Sequence, residues 1–269
     1  MRPAARINLN DLGVLLDWLV GQWWVYVIVG LILVFLIWIF FAPVAKLKTS
    51  PEYETTGTEA NELALGLLQI VNDPTGNWND PTANLLTGKL RDTLVEQWGL
   101  HSREDWLANI DRLVKTRRRR DDWVLMLGIR KDLAATLGRE PKPREWTKAI
   151  IEAGGNKREA TTFVNTVGTC EVCLRKSAGK KWIPADNFVT TFDGYAFGQA
   201  VAVVTWGVAL GFAEVGEARR LIHEINDVAR PEFSSWVEFG SSYIVGRVMH
   251  WSDGQLGDKT WDRLGHSTA

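Results

Sequence analysis

Residues 18–45 contain no charged side chain, and this stretch constrains the fold more than any other feature of the chain. Its centre, residues 23–41, reads WWVYVIVGLILVFLIWIFF. At 1.5 Å per residue, an α-helix of that length spans roughly 28 Å, close to the roughly 30 Å hydrocarbon core of a lipid bilayer. The pattern therefore predicts a single transmembrane helix at about residues 23–41, in contact with the bilayer.

The side chains at both ends of this segment suit the boundary between lipid and water. Tryptophan rings prefer the level of the headgroups, and flanking lysines extend their ammonium groups to the same level. Pro43 ends the predicted helix. The residues that we expect at the membrane interface are Trp23, Trp24, Trp38, Lys46 and Lys48.

Two other interpretations of the apolar segment fit less well. A cleaved signal peptide has a shorter apolar region, about 7–15 residues, and a basic leader, whereas this leader carries Asp11 and Asp17. A buried helix of a soluble protein is the other alternative, but so long an uncharged run is unusual for one. We therefore expect a membrane anchor within residues 1–45.

The basic residues that flank the segment do not decide its orientation, because two arginines precede it and two lysines follow it. The arginine content of the remaining chain favours the cytoplasmic side, and the two thiols, Cys170 and Cys173, are compatible with a reducing compartment. We therefore expect the folded domain on the cytoplasmic side of the membrane.

The rest of the chain has the apolar periodicity of helices and no series of strands, so the expected fold class is all-α after the transmembrane helix. Residues 46–57 are polar and predict a linker, and residues 58–269 predict one helical domain. Ser102 is predicted to cap a helix, because an acidic residue follows three positions later. Helices are expected at about residues 58–71, 84–98, 103–115, 123–137, 143–153, 157–173, 195–210, 216–229 and 231–251.

The overall charge argues against a general nucleic-acid binder, because 31 basic and 32 acidic residues nearly cancel. The strongest local excess is the run Arg117, Arg118, Arg119 and Arg120, which Asp121 and Asp122 follow. One interpretation is a patch for anionic lipid or nucleic acid, with lipid the better fit for a cytoplasmic domain. The favoured alternative is a solvated helix end with local ion pairs, because the two aspartates halve the local charge.

The sequence carries no catalytic or cofactor motif of the kinds that identify common enzyme classes. The pair Cys170 and Cys173 has a C-x-x-C spacing, which can form a redox pair or half a zinc site. The strand context of a redox pair is absent, and no histidine pair has ligand spacing. We expect two ordinary thiols on adjacent helical turns, with no catalytic residue, metal or cofactor.

The C-terminal region carries a distinctive series of residues: Ala209-Leu210-Gly211-Phe212, Glu214, Glu217-Ala218, Phe233-Ser234-Ser235-Trp236, Phe239, Tyr243, Gly246-Arg247 and Trp251, with an earlier segment, Trp98-Gly99-Leu100-His101-Ser102-Arg103. In its order and spacing, this series resembles the bacterial domain of unknown function 1266 family. The resemblance covers about residues 85–251. It departs at Ala196 and Gln199, where the family usually carries an aspartate and an arginine one turn apart. The resemblance implies a helical bacterial domain without established biochemistry.

Five residues of this region are candidates for binding: Glu217, Trp236, Tyr243, Arg247 and Trp251. The two tryptophans are 15 positions apart and share a helix face, as do Tyr243 and Arg247, which are four apart. The planar guanidinium of Arg247 suits a carboxylate or phosphate, although it can equally form a structural tie to a carbonyl or carboxylate.

Tryptophan-rich surfaces and the missing catalytic motifs favour a protein-interaction module. The chain has 14 tryptophans, which also suit an ordinary helical core. The favoured function is a membrane-anchored adaptor or immunity-type binder in a bacterial cell membrane, with an unknown protein partner such as a toxin. The alternative is an enzyme or small-ligand receptor with a cleft around Arg247, Tyr243 and Glu217. A third hypothesis is a membrane-surface protein that uses the arginine run against anionic lipid.

Overall fold

The computed structural model describes residues 47–178, 183–184 and 187–256. Every regular element in these residues is a helix, which confirms the all-α prediction. None of the helices in the described part of the chain is both long and apolar enough to cross a bilayer. The transmembrane segment predicted at residues 23–41 lies outside the described residues.

Ten α-helices and two 3-10 turns make up the described structure. In chain order they are α1 (Gly57–Leu63), a 3-10 turn (Ala64–Gly66), α2 (Leu67–Asn72), α3 (Gly88–Trp98), α4 (Arg103–Lys115), α5 (Asp121–Leu137), α6 (Pro143–Glu152), α7 (Lys157–Ala178), α8 (Asp193–Ala209), α9 (Val215–Ala229), a second 3-10 turn (Arg230–Glu232) and α10 (Trp236–Ser252).

Helix α8 is the centre of the fold. Every residue from Asp193 to Gly207 is buried, and the helix packs against α2, α4, α9 and α10. A helix that is apolar on all sides is covered by other elements, because exposure of any of its faces to water is unfavourable. Its glycines allow close packing, since a Cβ on Gly207 would overlap the indole ring of Trp106.

Two apolar clusters meet at α8 and α10. The first joins α3, α4, α8 and α9, and includes the fully buried Trp106 and Trp206. The second joins α5, α6, α7 and α10, and includes Trp146 and Phe163. Tyr195 of α8 belongs to the second cluster and Phe239 of α10 to the first. These two helices therefore hold both clusters together.

Several predicted helix ends differ from the structure. The predicted helix at residues 58–71 is interrupted by the 3-10 turn Ala64–Gly66. The helix predicted from residue 84 begins at Gly88, because residues 83–87 turn back and the Leu85 amide donates to the Thr75 carbonyl at 2.9 Å. The last helix begins at Trp236, where the Ser235 hydroxyl accepts from the Glu238 amide at 3.1 Å.

The structure confirms one predicted helix cap and shows one helix to be longer than predicted. Ser102 caps α4 as predicted, with its hydroxyl accepting from the Asp105 amide at 3.1 Å. Helix α7 extends to Ala178, beyond the predicted end at residue 173, even though it carries several β-branched residues. Its buried face, which includes Phe163, Val164 and Val167, explains why packing outweighs the weak intrinsic helix preference.

Candidate functional site

The connection between α4 and α5 carries the four consecutive arginines, and its backbone turns sharply there. Arg117 and Arg118 adopt φ values of +52° and +50°. Such left-handed conformations cost a residue other than glycine roughly 1–3 kcal/mol, so surrounding contacts must hold them in place. The predicted local ion pairs do not hold the first three arginines, whose side chains contact residues of distant elements, although Arg119 is exposed as a solvated helix end would be.

Asp193, at the start of α8, binds two of these arginines. Its carboxylate is 2% exposed and lies 2.9 Å from Nη1 of Arg117. Arg119 forms a two-pronged ion pair with the same carboxylate, through Nε at 2.9 Å and through Nη2. Arg117 also contacts Glu232 at 2.8 Å. A buried carboxylate thus fixes the arginine run from a position about 75 residues away.

Arg118 is held by neutral groups. Its Nε donates to the amide oxygen of Gln199 at 2.6 Å, and its Nη1 lies 3.3 Å from Nε2 of His250. Its guanidinium also lies over the rings of Trp98 and Tyr195, at 5.5 and 5.8 Å. Among the described residues, no carboxylate is within ion-pair distance of Arg118. Burial lowers the pKa of this guanidinium below its usual range.

Gln199 is the hydrogen-bond acceptor that positions Arg118. Ala196 is fully buried, and Gln199 is 2% exposed beneath Arg118. The glutamine amide is neutral, so it orients the arginine without neutralising it. An acceptor of this kind leaves the positive charge of Arg118 available to another group.

His250, on the last turn of α10, lies next to Arg118. Burial lowers its pKa, and the neighbouring Arg118 lowers it further. The imidazole is therefore neutral near pH 7. Because a guanidinium only donates hydrogen bonds, Nε2 of His250 is the acceptor, and the proton resides on Nδ1.

These side chains surround a cleft of about 200 Å³, which we call the arginine cleft. Its walls come from the α4–α5 connection, α5, the segment before α8, and the end of α10. Five permanent cations line it, Arg117, Arg118, Arg119, Arg120 and Lys131, against two carboxylates, Asp193 and Glu232. The cleft can therefore attract an anion.

Tyr243 and Arg247, predicted to share a helix face, both interact with residues in or directly after α2, Tyr243 with Gln69 and Arg247 with Asp73. Tyr243 is fully buried and donates from its hydroxyl to Gln69 at 2.7 Å. Arg247 is partly buried and acts electrostatically on Asp73, whose pKa is nonetheless raised because burial outweighs that attraction. Tyr243 also packs edge-on against Tyr195 at 5.3 Å. The structure thus joins Tyr243 to the core, where a ligand has no direct access.

Glu217 lies at the start of α9 and forms an ion pair with Arg103 of α4. The two carboxylate oxygens accept from the two terminal guanidinium nitrogens at 2.6 and 2.9 Å. Arg103 lowers the pKa of Glu217. The described contacts of Glu217 therefore connect α9 to α4 rather than to Tyr243 or Arg247, and the binding role of all three residues stays a prediction.

The two candidate tryptophans of α10 are both exposed, Trp236 at 52% and Trp251 at 64%. Trp251 donates from its indole to the Tyr195 hydroxyl at 2.9 Å. Trp236 lies edge-on to Phe239 at 5.9 Å and borders a groove of about 350 Å³. We call this the aromatic groove. Its lining residues are Asn61, Leu65, Ala229, Arg230, Phe233, Ser234, Ser235, Trp236 and Phe239.

The two cysteines lie one turn apart on α7 and are both free thiols. Cys170 is buried, and burial raises its pKa to about 12. Cys173 is partly exposed. In the described part of the chain, no group of three or more histidine, cysteine, aspartate or glutamate side chains could hold a metal ion.

The sequence interpretation missed the functional grouping of Asp193, Gln199 and His250 with the arginine run. A long run of arginines followed by only two aspartates was the available signal, because it left positive charge that required a partner elsewhere. The position of that partner depends on the packing of α8 against the α4–α5 connection, which no local pattern specifies.

Comparison with known proteins yields one relationship. No curated protein and no solved structure matches this chain. The family model described as "Protein of unknown function (DUF1266)" matches residues 93–267, which include α4 to α10 and all of the arginine cleft. This match covers more than half of the sequence, so the chain belongs to that family.

Proposed function

We propose that this protein is a membrane-anchored protein-interaction module, and that its partner docks in the aromatic groove. The observation that carries the proposal is the exposed indole of Trp236 at the edge of that groove. Tryptophan is among the residues most enriched at the energetic centres of protein interfaces. An indole that is half exposed beside an apolar recess offers both a contact and a pocket to a partner.

The size and lining of the groove fit an apolar side chain of the partner. Phe233 and Phe239 form aromatic walls, stacked edge-on at 5.4 Å, and Leu65 contributes from the 3-10 turn after α1. A cavity of about 150 Å³ accommodates a benzene-sized group, and this groove measures about 350 Å³. It has room for one large aromatic or aliphatic side chain.

Charge complementarity further defines the partner. Arg230 is exposed at the groove and donates from Nε to the neutral Asn226 at 3.2 Å. Within the described structure, no carboxylate is in ion-pair distance of Arg230. We therefore propose a partner protein that presents an apolar side chain next to a carboxylate, so that the carboxylate meets Arg230 at the rim.

The anchor belongs to the same proposal. The uncharged segment of residues 23–41 would hold the protein in a bacterial cell membrane as a single-pass helix, with the folded domain on the cytoplasmic side. Confinement to a surface raises the local concentration of a binder there. This arrangement suits an adaptor or an immunity-type protein that intercepts its partner, such as a toxin, at the membrane.

A site-specific photo-crosslinker in the full-length chain tests the docking surface. We expect a crosslinker at position 236 to give one discrete adduct in native membranes, and a crosslinker at Leu137, an exposed position on α5, to give none. With the purified partner, Trp236→Ala should weaken binding at least tenfold, as loss of a tryptophan hot spot commonly costs 2 kcal/mol or more. Arg230→Glu should abolish the adduct.

The same experiment can reject the proposal. Equal adducts at positions 236 and 137 would indicate non-specific contact. A partner whose affinity is unchanged in both Trp236→Ala and Arg230→Glu would bind elsewhere on the protein.

A further inference from the structure

We propose that the arginine cleft binds a compact phosphate group, as a monoester or inorganic phosphate. The cleft shares no lining residue with the aromatic groove, so this site is independent of the proposed protein interaction.

The first argument is the charge balance of the cleft. Five permanent cations and two carboxylates line the cleft, and one of the cations, Arg120, pairs outside this lining with Asp253 at 2.5 Å and Asp122 at 3.5 Å. Asp193 already binds Arg117 and Arg119, and Glu232 binds Arg117. Arg118 and Lys131 have no carboxylate within ion-pair distance among the described residues. An anion that enters the cleft therefore meets positive charge that the protein does not itself neutralise.

The second argument is that Arg118 is held in position by neutral groups and has no counter-ion among the described residues. Gln199 and His250 fix two of its nitrogens, and the rings of Trp98 and Tyr195 flank it. Its remaining amino group, Nη2, has no hydrogen-bond partner in the described residues. A partly buried cation held only by neutral groups loses hydration without gaining a counter-ion. A phosphate would supply both the counter-ion and a hydrogen-bond acceptor for Nη2, and its oxygens suit the planar guanidinium.

The third argument is the backbone that carries Arg118. The left-handed conformations of Arg117 and Arg118 occur in two successive residues without a glycine. Strained backbone of this kind is characteristic of ligand clamps, where neighbouring contacts hold it in place. The turn presents Arg118 in a fixed position before any ligand arrives, so little side-chain freedom is lost on binding.

The volume of the cleft limits the ligand. Sites for drug-sized molecules measure about 300–1,000 Å³, whereas this cleft measures about 200 Å³. One water occupies about 30 Å³ of liquid. The space inside the cleft therefore fits a phosphate group with a few attached atoms.

The pKa and the ring resonances of His250 would report whether an anion occupies the arginine cleft. Its Nε2 lies 3.3 Å from Nη1 of Arg118, and the groups that act on its charge are Arg118 and Asp253. A bound anion would favour the protonated imidazole and raise the pKa of His250. The ring resonances of His250 would therefore shift during a titration at pH 6.5, and the His250→Gln variant would assign them.

The test uses the full-length chain in phosphatidylcholine nanodiscs. One arm adds inorganic phosphate or phosphoserine at constant ionic strength, with acetate as the control anion. The other arm replaces part of the lipid with phosphatidic acid, whose headgroup is a phosphate monoester. We expect a saturable shift of the His250 resonances and a raised pKa of His250 in at least one arm. A response to soluble phosphate alone assigns a small-molecule ligand, and a response to phosphatidic acid alone assigns a lipid headgroup.

Three variants separate specific binding from general attraction. Arg118→Gln should weaken phosphate binding at least tenfold. Lys131→Gln, at an exposed position of the cleft, should weaken it about threefold without disturbing the fold. Arg91→Gln changes the net charge equally on the exposed face of α3 and should leave binding within twofold. No saturable shift in either arm, or equal binding by the wild type and both cleft variants, would overturn the proposal.

Discussion

Arg130 and Glu171 form a two-pronged ion pair inside the domain, with Nη1–Oε1 and Nη2–Oε2 distances of 2.7 and 2.9 Å. Both residues are almost fully buried, at 2% and 3% exposure. Glu171 also accepts from the Val189 amide at 2.7 Å, and Arg130 contacts Glu140 at 2.7 Å. The pair connects α5 to α7 and to the segment before α8.

Removal of one partner should destabilise the protein strongly. Arg130→Leu leaves the buried carboxylate of Glu171 without its cation, and Glu171→Leu leaves the buried Arg130 with only the partly exposed Glu140 as a counter-ion. Loss of one partner of a buried pair commonly costs about 3–5 kcal/mol. The double variant should be less destabilised than the sum of the two single variants, because it leaves no unpaired charge between these positions. Denaturant unfolding of the full-length protein, followed by tryptophan fluorescence, measures the three free energies.

An exposed pair provides the control for this prediction. Arg139 and Glu145 lie on the surface at 2.8 Å, and pairs of this kind contribute about 0–1 kcal/mol. Arg139→Leu should therefore have little effect. Additive losses in the Arg130 and Glu171 double variant would contradict the interpretation that the two charges compensate each other.

Gly207→Ala should destabilise the protein, because the new methyl group would overlap the indole of the fully buried Trp106. Overpacking in a dense core commonly costs about 1–3 kcal/mol. Gly168→Ala is the matched control, since nothing lies within 4 Å of its Cβ position on α7. This control should be neutral or slightly stabilising, as alanine is the better helix former. Thermal unfolding temperatures compare the two, and equal values would show that the Trp106 contact relaxes without cost.

Two histidines should affect the pH dependence of stability in opposite directions. The pKa of His250 is lowered in the folded protein, so the unfolded state binds the proton more tightly. Its contribution therefore falls as the pH drops below about 6.5. Glu62 and Asp227 raise the pKa of His223, so its contribution is full below about 6.5 and is lost as the pH rises through the folded value.

Unfolding measurements between pH 5 and pH 8 test these signs. Relative to the wild type, His250→Gln should lose less stability on acidification, and His223→Gln should lose more. Identical pH profiles of the two variants would contradict the assigned shifts.

The two thiols should differ in reactivity. Cys170 is buried and its pKa is raised to about 12, so almost no thiolate forms near neutral pH. Cys173 is partly exposed. We expect iodoacetamide at pH 8 to modify Cys173 in the folded protein and to modify Cys170 only after denaturation. Mass spectrometry of tryptic peptides distinguishes the two sites, and equal modification of the native protein would rule out the difference.

Arginines within the apolar segment should disrupt membrane anchoring. The double variant Leu33→Arg and Leu36→Arg adds roughly 3 kcal/mol of insertion cost per arginine. Alkaline extraction of membranes should leave the wild type in the pellet and should release much of the double variant. The variant Leu33→Ile and Leu36→Ile is the control, and it should remain in the pellet. Release of the wild type would exclude an integral anchor.

The sequence predicted the fold class and much of the helix pattern because those features depend on nearby residues. Ser102 caps α4 by accepting a hydrogen bond from an amide three positions away, so its role can be predicted from a short segment of sequence. Helix α3 begins later than the helical pattern predicts, because the turn at residues 83–87 depends on a hydrogen bond to Thr75, which lies outside that pattern.

The arginine cleft required the tertiary structure. Arg118 and Gln199 are 81 positions apart, and Arg118 and His250 are 132 apart. Periodicity places each residue on a helix, but it does not say which helices are neighbours. The local aspartates predict pairing within the run, but only Arg120 contacts one of them, Asp122 at 3.5 Å, and it also pairs at 2.5 Å with the distant Asp253.

The central position of α8 has a consequence for synthesis of the chain. Helices α3 and α4 bury their apolar faces against α8, and α5, α6 and α7 share a cluster with Tyr195 and α10. Neither cluster can close until residues 193–252 have left the ribosome. The helices that are synthesised earlier therefore keep apolar surface exposed until then. A nascent chain that stalls before α8 is expected to become a substrate for chaperones and proteases.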